Sequence, residues 1–201
     1  MMTAGIRRLL TLGLPTGAHM TRYRMYHDIA QTLRAAGPRG PHVLNVARSK
    51  ALCDLVPVPD AQVFDAVHPE YNLLHLHQLP ADRFDYLCCD QVLEHVRGNP
   101  QQAIDESWRV VRRGGIVVHT TCVLNELHAL PHDYWRFTPN GLAYLFRDFS
   151  RILHVGSWGH RLAFLGLRYL NVPHATWHPL HKLAMMNTPD TPIVTWIVAE
   201  K

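Results

Sequence analysis

Apolar and polar positions change period repeatedly along the 201 residues, and that change predicts helices alternating with strands. From His19 to Ala36, Met20, Tyr23, Ile29 and Leu33 recur at helical spacing, and Gly37-Pro38 supplies a stop just beyond the helix end. His42-Val43-Leu44-Asn45-Val46 reads as a short buried strand, and Lys50 to Val56 as one or two helical turns before Pro57 and Pro59. Further strands are expected at Gln62 to Asp65, weakly at Asn72 to Leu76, at Phe84 to Cys89 and at the β-branched run Ile116 to Thr121. A short helix through Val96 and a longer one from Gln101 to Val111 lie between the last two, with Gly114-Gly115 expected to end the second. Asn125 to Thr138 is a polar and aromatic loop, after which Pro139 opens a helix to about Arg147 with Thr138 as N-cap. A strand at Ser150 to Val155, a helix from about Arg161 to Tyr169, a loop bearing Pro and His, and a strand at Ile193 to Ala199 complete the chain. Residues 1–18, with Gly5, Gly13, Pro15 and Gly17, read as an irregular arm or a short helix.

Strands that alternate with helices predict an α/β fold: a doubly wound sheet, mostly parallel, covered on both faces, here with an antiparallel last strand. Ligands of such sheets bind at the carboxyl ends of strands near the point where strand order reverses. The loops after residues 46, 65, 76, 89 and 121 are therefore the functional ones.

Composition narrows the classes of function. Apolar residues make up 47% and charged residues 18%, below the usual charged share of about 25%, which excludes a disordered or acidic-tail protein. The net charge is +4, but the longest basic runs are Arg7-Arg8 and Arg112-Arg113, so no nucleic-acid partner is expected. Cys53, Cys88, Cys89 and Cys122 lack CxxC spacing, and Cys88-Cys89, inside an apolar run, reads as small buried hydrophobes; a reducing compartment is expected. No apolar run reaches the roughly 18 residues of a membrane span, so no membrane partner and a cytoplasmic location are expected. Fifteen histidines invite a metal site. His160, His174, His178 and His181 lack the i, i+4 spacing of a helical ligand pair, and Pro179 interrupts the last two, so no metal is assigned.

Two blocks carry chemistry. Phe84-Asp85-Tyr86-Leu87-Cys88-Cys89-Asp90-Gln91-Val92-Leu93-Glu94-His95-Val96, the helix ending Trp108-Arg109-Val110-Val111-Arg112-Arg113-Gly114-Gly115, and the strand from Ile116 resemble the second half of class I S-adenosylmethionine-dependent methyltransferases, the methyltransferase type 11 group. The segment His128-x-x-Pro131-His132-Asp133-Tyr134-Trp135-Arg136-Phe137-Thr138-Pro139-x-Gly141-Leu142 is similar to a loop found in a subset of these enzymes. The resemblance spans about residues 42–150. It implies a Rossmann-like single domain over 1–201, with an amino-terminal arm and lid helix in 1–40, a cofactor-binding core in 41–150, and completion of the sheet in 151–201.

Carried over by position, Asn45, Val46, Ala47, Arg48 and Ser49 fall on the motif that wraps the methionine part of S-adenosylmethionine. Asn45 replaces an acid there, and Ala47 and Ser49 replace glycines. The resemblance places Asp65 on the ribose hydroxyls, His75 and Leu76 beside the adenine, and Asp90 and Gln91 at the methionine end or the acceptor. It makes His128, His132 and Asp133 candidates for deprotonating or orienting the acceptor. Tyr23 and Tyr26 on the lid helix and Tyr134, Trp135 and Arg136 on the loop are candidates for binding it. Each has a plainer reading: Asp65 as a turn residue, His75 as exposed, the aromatic residues as a packed corner, Arg136 as the ion partner of Asp133. The implied activity is methyl transfer to a small-molecule or sugar-like acceptor in small-molecule biosynthesis, with oxygen preferred. The altered 45–49 loop leaves open a protein of this fold that performs other acid–base chemistry, binds a ligand, or partners an active enzyme in a homo- or hetero-oligomer.

Overall fold

The computed structural model describes residues 4–127, 132–163 and 170–201. In chain order these form α1 (Ala4–Leu10), β1 (Thr16–His19), α2 (Met20–Ala36), β2 (His42–Val46), α3 (Lys50–Cys53), β3 (Gln62–Ala66) and β4 (Phe84–Asp90). A 3-10 turn (Leu93–His95) follows, then α4 (Pro100–Val110), β5 (Val111–Cys122), α5 (Pro139–Leu145), β6 (Arg151–Trp158), β7 (Asn171–Pro173), α6 (Pro179–Met185) and β8 (Val194–Glu200).

Six strands make one sheet in the order β3-β2-β4-β5-β8-β6, and β1 pairs with β7 in a separate two-stranded ribbon. β3, β2, β4 and β5 run parallel, whereas β8 is antiparallel to both β5 and β6. The fold is thus the expected mostly parallel α/β sheet with an antiparallel last strand. Successive strand residues enter opposite layers, as the two-residue period requires. Leu44, Leu87, Val117 and Ile197 pack on one face with Ile104 and Leu142, and Val43, Tyr86, Val118 and Val198 on the other with Met25, Ile29 and Leu33.

Four expectations change. The weak strand at Asn72 to Leu76 is a turn: the Asn72 carboxamide oxygen accepts from Leu74 N–H at 3.0 Å, the Asn72 carbonyl from His75 N–H at 2.7 Å, and Glu106 takes the Leu76 N–H at 2.6 Å. With those donors satisfied locally, no ladder forms. Gly114-Gly115 does not end a helix, because α4 passes at Val111 directly into β5 and both glycines lie within the strand. Gly114 has φ +72°, and a Cβ on Gly115 would stand 2.9 Å from the Asp85 carbonyl oxygen, so the pair absorbs the register irregularity against β4. The loop bearing Pro and His contains β7 and α6. Pro179 opens α6 rather than interrupting it, with the His178 ring nitrogen accepting from Leu180 N–H at 3.1 Å. The arm contains both α1 and β1. Most of the helix expected from Arg161 to Tyr169 lies outside the described residues.

Candidate functional site

The carboxyl ends of β2, β3 and β4 open into a cleft of about 530 Å³. Val46, Ala47 and Ala66 form its floor, Leu73, Leu74 and Tyr71 one wall, and His95, Arg97, His132 and Tyr134 the other. Asp90 and Gln91 stand where β4 enters. A second cleft of about 600 Å³ lies beside α3, but the charged side chains that line it among the described residues, Lys50 and Asp54, bond to each other at 2.6 Å.

The loop after β2 follows a glycine path without glycines. Ala47 (φ +53°) and Arg48 (φ +63°) both sit in the left-handed region, which costs a non-glycine residue about 1–2 kcal/mol. Ala47 N–H donates to the Ala66 carbonyl at 3.0 Å. Ser49 is buried; its hydroxyl donates to the Val46 carbonyl at 2.6 Å and accepts from Asp90 N–H at 2.8 Å. Asn45 is buried too, and its amide donates to Asp65 at 2.7 Å. Asn45 and Asp65 are register partners on the face opposite Val46 and Ala66, so the latter two form the cleft floor. The Asn45 carboxamide oxygen is buried without a partner among the described residues.

Asp90 is fully engaged. One carboxylate oxygen accepts from Arg22 Nε at 2.9 Å and from the Tyr26 hydroxyl at 2.7 Å; the other accepts from the Thr120 hydroxyl. Burial and the neighbouring Asp90 carboxylate push the Tyr26 phenol up. Burial works against the Arg22 cation, but Asp90 and Tyr26 together outweigh it and the guanidinium is held above its ordinary pKa. α2 is thereby latched to the end of β4. Gln91, itself at φ +56°, bonds Thr120 through both its amide and its side chain.

The opposite wall is a clamp between residues 94–96 and 132–135. The Glu94 carbonyl accepts from Tyr134 N–H at 2.7 Å and Trp135 N–H at 3.1 Å, and the Val96 carbonyl from the Trp135 indole at 3.0 Å. His95 Nδ1 meets the His132 carbonyl at 2.6 Å. Asp133 and Arg136 form a two-bond ion pair, one contact at 2.6 Å, with the Asp133 side chain almost wholly buried. Beneath, Glu94 accepts from the Thr121 hydroxyl at 2.9 Å, and burial together with Glu94 pushes the Cys122 thiol to about 12. All four cysteines are buried and free.

Of the sequence-derived candidates, Val46, Ala47, Asp90, Gln91, His132 and Tyr134 converge on the cleft. Tyr26 reaches it through Asp90, whereas the Tyr23 hydroxyl bonds His181 at 3.0 Å, against α6. Arg48 is exposed. His75 and Leu76 turn to α4, the first to Gln102 at 3.2 Å and the second through its backbone to Glu106 and Arg109. His128 lies outside the described residues. Sequence reasoning did not single out Arg22, Arg97 or Thr120. Arg22 lies one turn before Tyr26 on the same helix, a spacing that could have found it.

A family model described as a methyltransferase domain matches residues 10–119. The chain belongs to the methyltransferase domain family. No curated protein matches the sequence. Among solved structures, the methyltransferase fold recurs in a 1,6-didemethyltoxoflavin N1-methyltransferase of Burkholderia thailandensis bound to S-adenosylhomocysteine (15% identity, 88% of this chain and 77% of that one, TM-score 0.56). An S-adenosylmethionine-dependent methyltransferase of Archaeoglobus fulgidus is similar over 88% of this chain and 94% of that one (14% identity, TM-score 0.52). So is the cyclase SpnF, over 89% and 80% (16% identity, TM-score 0.56).

The methyltransferase cofactor is S-adenosylmethionine, and the residues present suit it. The cleft is large enough, Leu73, Leu74 and Tyr71 offer apolar surface for a purine, and Ala47 and Arg48 keep the left-handed torsions of a glycine loop. Among the described residues no group of three His, Cys, Asp or Glu could hold a metal ion, and no helix is long and apolar enough to cross a membrane.

Proposed function

We propose that this protein uses S-adenosylmethionine to methylate a hydroxyl oxygen of a small-molecule acceptor. The observation that carries the reading is the orientation of His95. It lines the cleft, and its Nδ1 faces the His132 carbonyl, which can only accept. The neutral ring therefore carries its proton on Nδ1 and its lone pair on Nε2. An imidazole nitrogen with a lone pair can take the proton of a hydroxyl. When bound, S-adenosylmethionine supplies an electrophilic methyl group on a sulfonium.

The protein contributes position. Val46 and Ala47 carry the floor, Asn45 and Asp65 brace the strands beneath it, and the Arg22–Asp90–Tyr26 latch closes the β4 end. The Asp133–Arg136 pair fixes the segment that bears His132 and Tyr134 against His95. Such alignment of reactants contributes much of the rate in a displacement that needs few protein groups.

A second reading, a protein of this fold that does not transfer methyl groups, is favoured by the side chains at Ala47 and Ser49, where the family motif has glycine. Titration calorimetry with S-adenosylhomocysteine separates the two. Micromolar binding supports the methyltransferase reading, and no heat at millimolar ligand overturns it.

A further inference from the structure

We infer that the acceptor is a small aromatic carboxylate whose anionic group is held by Arg97; this rests on the methyltransferase reading of the same cleft. Arg97 lines the cleft one residue beyond the 94–96 clamp, so its backbone is anchored beside His132 and Tyr134. It forms no hydrogen bond or ion pair with any described residue.

The surrounding charge does not compensate it. Among the described residues the cleft lining contains one acid, Asp90, and that carboxylate is neutralised by Arg22 and bonded by Tyr26 and Thr120. The carboxylates of Glu94 and Asp133 lie behind the wall, on Thr121 and Arg136, and neither lines the cleft. His68 and His132 add ring nitrogens that can donate to an anion. Guanidinium is the side chain whose fork matches a planar carboxylate with two parallel bonds. Tyr134, 5.7 Å from the His132 ring, supplies a flat face for an aromatic ring. An anionic acceptor would also bring a cleft that receives a sulfonium closer to neutrality.

The test is calorimetry on the intact protein saturated with S-adenosylhomocysteine. The probes are 4-hydroxybenzoate and 3,4-dihydroxybenzoate, each against its neutral amide. Each acid is expected to bind about tenfold or more tightly than its amide, the scale of one charged hydrogen-bond pair. Arg97→Gln should abolish that preference while S-adenosylhomocysteine still binds, which shows that the variant folds. Equal binding of acid and amide, binding of neither, or an acid preference that survives in Arg97→Gln overturns the inference and leaves the methyltransferase reading standing. Absence of S-adenosylhomocysteine binding to the unmodified protein removes both.

Discussion

The Ser49 hydroxyl receives the amide hydrogen of Asp90 at 2.8 Å and so joins the loop after β2 to the end of β4. It also donates to Val46, so one small side chain satisfies two strand ends at the place where the family motif has a glycine. Ser49→Ala removes both bonds and strands the Asp90 amide. The expected loss is about 1–3 kcal/mol of unfolding free energy, read by urea denaturation with an unchanged slope.

Ala47 bears a left-handed torsion and a methyl group that faces the cleft. Ala47→Gly relieves the torsion, offset in part by a more flexible unfolded chain, so a net change within about 1 kcal/mol is expected. Affinity for S-adenosylhomocysteine should rise, because the backbone can then approach the ligand more closely. Calorimetry on the variant checks this.

His119 is fully buried on β5, and burial lowers its pKa to about 3. Ser107 donates to the Ala103 carbonyl and accepts from His119 Nε2 at 3.0 Å, so the ring is neutral with its lone pair on Nδ1. Above pH 6.5 neither folded nor unfolded chain protonates it. Below that the unfolded chain takes a proton that the folded one refuses, and stability falls until the pH reaches about 3. Between pH 6.5 and 5.5, His119→Leu should lose less stability than the unmodified protein, by on the order of 1 kcal/mol. Denaturation curves at the two pH values decide it.

The Tyr26–Asp90 bond is half of the latch that holds α2 over the cleft. Tyr26→Phe leaves Arg22 in place and should lower stability by about 1.5–3 kcal/mol, the net worth of one hydrogen bond to a charged group. Arg22→Gln removes the counter-charge of a partly buried carboxylate and should be the more damaging of the two, measured by the same unfolding curves.

His95→Gln keeps a donor for the His132 carbonyl but removes the ring lone pair. Turnover should fall by about 10²–10⁴-fold, the range of a lost general base, with S-adenosylhomocysteine affinity unchanged. An unaltered rate would remove His95 from the chemistry.

The sheet was legible where single strands carry enough apolar residues to declare themselves. β2, β4 and β8 are such runs, and their expected bounds lie within one residue of those observed. β1 and β7 were not legible, since Thr16-Gly17-Ala18-His19 and Asn171-Val172-Pro173 show no alternation and exist only by pairing with each other. α6 was obscured by reading Pro179 as a breaker when it stands at a helix start. At the cleft, strand order and motif position locate the floor and the β4 end. The latch and the clamp depend on contacts across 68 residues, from Arg22 to Asp90, and 37 residues, from His95 to His132, which no local spacing encodes.

β8, whose partners lie in earlier parts of the chain, sits between β5 and β6 and hydrogen-bonds both along most of its length. During synthesis β5 and β6 emerge first, each with an edge that has no partner until residues 194–200 arrive. Exposed edges of this kind recruit strands from other molecules. A nascent or truncated chain ending before Val194 would therefore present two adhesive borders, and its characteristic failure should be aggregation rather than a soluble, partly active fragment.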